Sequence, residues 1–205
     1  LKLDLNQTTG NVELSAGARI PGRVLNQFSV DEYDGYLRIA TTQRWAGIPD
    51  QPPGSTNHLF VFEQNGEILE IVGRLDGLAP GESNYSARFL GHRASLVTFR
   101  RVDPLFAIDL STPTEPRVAG ELKIPGFSNY LHAAGDEHLI GIGRNADETT
   151  GSSEDPKISL FDVGDFANQA EVGQFTIDVG SRGSLEAFRD HHAVAYYADH
   201  QVLAV

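Results

Sequence analysis

Four polar residues stand at one place in a recurring unit of this chain: Gln27, Arg88, His132 and Glu186. Aligning Leu-Val-Thr-Phe-Arg, ending at Arg100, with Ile-Gly-Ile-Gly-Arg, ending at Arg144, sets Arg88 opposite His132. Gln27 and Glu186 fall on the equivalent short segments. A carboxamide, a guanidinium, an imidazole and a carboxylate gathered around an axis would bind a small ligand or an ion. There Arg88 would hold His132 neutral, because a positive field disfavours imidazolium, and a nearby Glu186 would oppose it. The same side chains equally suit a water-filled channel that binds nothing.

The other chemistry-bearing residues have a duller explanation. The seven histidines are His58, His92, His132, His138, His191, His192 and His200. His132, Glu186 and His191 would form a metal set if the units brought them together. Spacing across repeats carries no ligand signature, and His92, His138 and His191 share one repeated turn position, so no metal site is expected. Asp147, Glu148, Glu154 and Asp155 gather in a polar loop, Asn145–Lys157. Hard cations take oxygen ligands, which makes Ca²⁺ the one cofactor the sequence can suggest. The loop lacks the ordered Asp-X-Asp-X-Asp-Gly pattern and reads as solvated acid, so no cofactor is expected. No Gly-X-Ser-X-Gly elbow anchors a nucleophile, and carboxylate pairs are everywhere in an acidic chain. No catalytic residue is assigned.

These positions acquire meaning from the elements that carry them. Between Asn84 and Ser128 the chain reads as four short runs of β-branched and aromatic residues, broken by Gly, Pro, Asp and Ser. Four strands in about 45 residues is the size of one propeller blade. The unit recurs. Ile-Pro-Gly stands at Ile20–Gly22 and again at Ile124–Gly126, and Phe-Ala-Ile-Asp at Phe106–Asp109 is echoed by Ser-Leu-Phe-Asp at Ser159–Asp162. The expected blades are 1–21 (third and fourth strands), 24–75, 85–124, 130–177 and 185–205 (two strands and the start of a third). Within them, Val24–Ser29 is read as an innermost strand, and Asp34-Gly35 and Asn65-Gly66 as hairpin turns. No window shows a capped helical period. The fold class is all-β: a β-propeller of four-stranded antiparallel blades, about four of them, as an arc of a larger ring. Closure of Leu1–Pro21 onto the unit opened at Leu185 leaves one strand over and ranks second.

Composition narrows the partners. Hydrophobic residues make up 40% of 205, ordinary for a packed domain. The net charge of −12, from 28 acidic and 16 basic residues, argues against nucleic acid. No apolar run reaches the roughly 18 residues of a membrane span. Cysteine is absent. Methionine is absent too, and Gln201–Val205 reads as strand interior, so a segment of a longer protein is expected, its targeting signal outside. Asn6-Gln7-Thr8 and Asn84-Tyr85-Ser86 are glycosylation triplets that matter only in an exported chain.

Asn-Tyr-Ser-Ala-Arg-Phe (Asn84–Phe89), Thr98–Leu110, Gly-Glu-Leu-Lys-Ile-Pro-Gly-Phe-Ser (Gly120–Ser128), Tyr-Leu-His (Tyr130–His132), Asp31–Thr42 and Leu139–Arg144 resemble a family of secreted prokaryotic proteins. Those proteins carry a C-terminal β-propeller domain distantly related to WD40 propellers. The resemblance implies an exported or surface-anchored bacterial or archaeal protein, and it implies no catalytic residue. The expected function is a non-catalytic exported scaffold holding a protein or carbohydrate partner on its loops. The alternative is a hydrolase or lyase with a polar site at the channel mouth.

Overall fold

The computed structural model describes residues 1–47, 53–99, 103–124, 126–146, 153–178 and 183–205. The hairpin of Lys2–Asn6 (β1) and Asn11–Ala16 (β2) comes first. Three four-stranded antiparallel meanders follow. The first is Val30–Tyr33 (β3), Tyr36–Trp45 (β4), Gly54–Asn65 (β5) and Ile68–Leu78 (β6). The second is Ser83–Leu90 (β7), Arg93–Phe99 (β8), Asp103–Asp109 (β9) and Arg117–Ile124 (β10). The third is Phe127–Ala133 (β11), His138–Ala146 (β12), Ser153–Asp162 (β13) and Ala170–Thr176 (β14). A hairpin of Ala195–Tyr197 (β15) and Val202–Ala204 (β16) ends the array. The described helical residues are four single 3-10 turns, and none of the described helices is long and apolar enough to cross a membrane.

Three boundaries differ from those expected. Val24–Ser29 is not a strand. The Asn26 side chain accepts from Phe28 N at 3.0 Å, which winds Gln27–Ser29 into a 3-10 turn, and the strand resumes at Val30. The last unit repeats this. Glu186–Phe188 and His191–Ala193 are 3-10 turns, the second capped by Asp190, whose carboxylate accepts from His192 N at 2.9 Å. Among the described residues that unit's first strand is therefore Ala195–Tyr197, which pairs with Val202–Ala204. The expected loop over Asn145–Lys157 is shorter, because Ala146 pairs with Ser153 and β13 runs on through Lys157.

The sheets pack face to face. Leu59, Val61, Phe89, Leu96 and Ile108 fill the layer between the first and second sheets. Val97, Leu105, Leu131, Leu139 and Phe161 fill the next. Strand alternation sends neighbouring residues of one strand into different layers: Leu96 faces one way and Val97 the other. Each such buried side chain contributes about 1.5–3 kcal/mol of hydrophobic free energy. The end hairpins cover only half a sheet each. β2 lays Ala16 on Phe60, Phe62 and Leu69 of the outer strands of the first sheet. β15 and β16 lay Tyr196 and Leu203 against Tyr130 and Ile140 of the inner strands of the third.

Two buried devices tie neighbouring blades together. Arg38, 3% exposed, donates to Asp31 and to the Gly91 carbonyl at the next sheet's first turn. Half-buried Arg93 makes a related reach one blade on, donating to Gly164 O at 3.0 Å in the β13–β14 connection. On the fourth strands, Gly73 and Gly120 lie against the backbone carbonyls of Pro113 and Phe166 from the following blade, where a Cβ would collide with the oxygen. Gly73→Ala and Gly120→Ala are each expected to destabilise the protein by about 1–3 kcal/mol by urea unfolding, the usual cost of overpacking against a fixed backbone. The entropic gain of Gly→Ala, up to about 1 kcal/mol, does not offset it.

Candidate functional site

The inner ends of the sheets meet in a cluster of aromatic rings around one guanidinium. Register places Arg88 and His132 at equivalent positions. Each is the third residue pair after a bulge, Arg88 opposite Ser95 and His132 opposite Ile140. The alignment that equated them runs through Arg100, which lies outside the described residues. Arg88 donates from Nε to Leu131 O at 2.8 Å and also from Nη2 to the same oxygen. Its guanidinium carbon sits 4.2 Å from the Phe28 ring centroid and 5.4 Å from that of Tyr130. Burial pushes the Arg88 pKa down, and Tyr130 works against that.

His132 lies beside this pair. Its Nδ1 is 2.9 Å from Tyr130 Oη, and its ring meets Tyr196 edge-on at 5.8 Å. The His132 pKa is lowered from 6.5, first by burial and second by the Arg88 charge. The effect expected of Arg88 has the right sign, and burial outweighs it.

The other two expected members are placed differently. Gln27 and Glu186 lie on 3-10 turns rather than on innermost strands; the Asn26 side chain caps the first, and Leu185 precedes the second with no side-chain cap. Gln27 still reaches the cluster's edge: its Nε2 is 3.0 Å from His191 Nε2. Glu186 is exposed, and among the described residues no hydrogen bond or ion pair joins its carboxylate to Arg88 or His132. The expected opposition of Glu186 to Arg88 therefore has no structural basis.

Sequence reasoning missed the rings. Phe28 packs on Tyr130 at 5.3 Å and on His191 at 5.0 Å, so first, third and last units touch at the axis. It also missed the contiguous Asp190-His191-His192, whose ligand atoms lie within 4.8 Å of one another. The signal was present as three consecutive ligand-type residues. Local geometry already accounts for it, since the Asp190 carboxylate caps His192 N and faces His192 Nδ1 at 2.8 Å. These bonds hold the Asp190 carboxyl below its usual range. Of the acidic loop, Asp147 and Glu148 lie outside the described residues, and Glu154 and Asp155 belong to β13.

Packed four-stranded meanders whose inner ends converge on one axis define a β-propeller array. The chain belongs to the β-propeller domain family, whose model matches residues 1–205. It is 42% identical over 181 residues to an uncharacterised protein of Methanocaldococcus jannaschii, covering 88% of this chain and 26% of that one. It is 39% identical over 183 residues to an uncharacterised protein of Archaeoglobus fulgidus, covering 89% of this chain and 26% of the relative. The chain thus spans about a quarter of the length of the curated relatives it matches.

Two predictions follow from this geometry. A double-mutant cycle on Phe28→Leu and Arg88→Met should give a coupling of about 1–2 kcal/mol, as for a partly desolvated cation over a ring. His132 binds its proton less readily folded than unfolded. Its stabilising contribution is therefore complete above about pH 6.5 and is lost as pH falls below that value. Thermal melts from about pH 7 down to about pH 5 should show a smaller acid loss in His132→Gln than in the parent chain.

Proposed function

We propose that this chain is a non-catalytic, exported β-propeller scaffold that holds a protein or carbohydrate partner on its loop surfaces. One observation carries the reading: the polar groups at the inner ends are engaged with each other. Arg88 is clamped between Phe28 and Tyr130 and bonded to Leu131 O, and His132 faces the Tyr130 hydroxyl. That arrangement holds blades together and offers no nucleophile paired with a base.

Support for export comes from the resemblance to secreted propeller proteins. The glycosylation triplets divide. Asn6 is exposed, with its carboxamide accepting from Thr8 N and Thr9 N at 3.0 Å each. Asn84 is 4% exposed, so the folded chain cannot present it to a transferase. Binding fits a fold in which rigid sheets hold loops at both ends. The net charge of −12 favours neutral or cationic partners over polyanions at large, unless basic residues gather locally.

The test pairs two assays on the purified chain. Incubation with a panel of polysaccharides, peptides and esters is expected to give no turnover. Glycan arrays and culture-surface extracts are expected to yield a saturable partner. Turnover abolished by Arg88→Met or His132→Gln would replace this reading with the hydrolase or lyase.

A further inference from the structure

We propose that copies of this chain associate head to tail, the β1–β2 hairpin of one copy completing the blade that β15 and β16 of another begin. This association is independent of what the loops bind.

Register shows what β1 and β2 are. In each whole sheet the pairing of third and fourth strands slips by one residue, at Val72, Ala119 and Val172. The hairpin slips in the same way at Ser15, where Lys2 pairs with Ala16 and Leu3 with Leu14. Such a slip exchanges the faces of the bulged strand. Before it stand the pairs Val61–Gly73, Ala107–Gly120 and Leu160–Gly173, and in the hairpin Lys2–Ala16. After it come Phe62–Ile71, Ile108–Val118 and Phe161–Glu171, and in the hairpin Leu3–Leu14. Phe62, Ile108 and Phe161 are all buried, each in a layer shared with the unit before its own. Leu3 holds the same position and is 54% exposed. Leu5, Val12 and Leu14 lie on its face and are exposed too. The hairpin is nonetheless held firmly to its own copy. Gly17 exchanges backbone bonds of 3.1 Å with Glu67 and Leu69, and Gln64 bonds the side chains of Lys2 and Ser15. An anchored hairpin with an apolar face in water is half of an interface.

The third sheet presents the other half. Leu75 and Leu122, two residues past Gly73 and Gly120, pack into the layer shared with the next sheet. Phe175, two past Gly173, is 66% exposed. Leu160 is 38% exposed where its equivalents Val61 and Ala107 are sealed. A cleft of about 570 Å³ runs over β13 and β14 beside the last hairpin, lined by Ile158, Leu160, Phe175, Tyr196 and Leu203. In every whole sheet that place, next to the second strand of the following unit, belongs to a third and a fourth strand. Among the described residues β16 pairs with β15 alone and β1 with β2 alone, so each offers an open edge of backbone donors and acceptors. The two hairpins are separate sheets within one chain, and the hairpin assigned to the cleft is a second copy's. Seated there, Leu3 repeats against Leu160 and Phe175 the contact that Phe161 makes with the second sheet, and the new interface continues the ones between blades. Each copy carries one hairpin and one cleft, so the contact is heterologous.

Sedimentation equilibrium of the full chain tests this, over a concentration series reaching about 100 μM, because interfaces of ordinary size bind in the micromolar range or tighter. The mass is expected to exceed one copy and to rise with concentration. Leu3→Glu on the hairpin and Phe175→Glu in the cleft should each weaken association about tenfold or more, since either buries an unpaired carboxylate. Both residues are exposed within one copy, so neither variant should melt lower than the parent chain when dilute and monomeric. Each variant keeps one sound face. An equimolar mixture is therefore expected to restore a complex that stops at two copies, with the Phe175→Glu hairpin in the Leu3→Glu cleft. A chain monomeric at every concentration, association indifferent to either substitution, or a mixture that stays monomeric overturns the proposal. So does a dilute monomeric Leu3→Glu chain that melts lower, because the chain's own hairpin would then fill its own cleft.

Discussion

Every sheet here has two apolar faces, and neither can be left to water without cost. That single constraint orders the array. A strand whose successive residues alternate between two neighbours, as Leu96 and Val97 do, cannot exist in a lone sheet or at a solvated edge. The second sheet satisfies the constraint fully, with a whole sheet on each side. The first and third satisfy it by halves. β1 and β2 cover the outer strands of the first sheet, and β15 and β16 the inner strands of the third. The residues left over are large and apolar: Leu3, Leu5, Val12 and Leu14 at one end, and Val172 and Phe175 at the other. An array of this kind has no natural stopping point within one sheet. It requires each blade to present to the next the same surface it receives from the last.

That demand explains why the blade contacts repeat. Arg38 and Arg93 perform one task a blade apart, reaching a backbone carbonyl of the following sheet. Gly73 and Gly120 each make room for a loop carbonyl from the following blade. Gly173 stands at the matching place in the third sheet, opposite Leu160, and meets only the Leu160 side chain. Apolar burial supplies most of the free energy. These directional contacts set the angle and stagger, because a buried guanidinium or a Cβ-free backbone tolerates one placement.

The sequence was most readable where structure depends on alternation and turn residues. The meanders from Tyr36 to Ile124, their hairpins and the equivalence of Arg88 with His132 all follow from period-two patterns and a fixed unit length. It was least readable where a short-range bond competes with a strand. Asn26 looks like an ordinary turn residue, yet its side chain accepts from Phe28 N and winds an expected strand into a 3-10 turn. That moved Gln27 off the innermost strand, and Glu186, on a 3-10 turn without a side-chain cap, is left in solvent. The Phe28–Arg88–Tyr130 stack escaped notice for another reason. Aromatic residues in a β protein default to core, and only three-dimensional proximity shows that a cation lies between two of them. The Asn84 triplet matters only in an exported chain, and burial of Asn84, which no tripeptide encodes, removes it as an acceptor in the folded chain.

Cation placement links architecture to function. Sixteen basic residues serve a chain with 28 acidic ones, so carboxylates outnumber cations. Many are nevertheless committed to backbone carbonyls and rings: Arg38 to Gly91 O beside Tyr33 and Phe89, Arg88 to Leu131 O between Phe28 and Tyr130, Arg93 to Gly164 O beside Phe166. A guanidinium suits that role because it stays charged while giving directed hydrogen bonds and stacking on rings, and a lysine does not. The fold therefore consumes arginine at the axis and between blades, where a reader of polar residues would look first for a ligand. Arg23 and Arg44 differ in kind. Both stand exposed, Arg23 opposite Thr42 and Arg44 donating to Ser83 Oγ between the first and second sheets. In a propeller whose inner polar residues serve packing, the residues free for recognition are those the repeat leaves unspent at its loop ends.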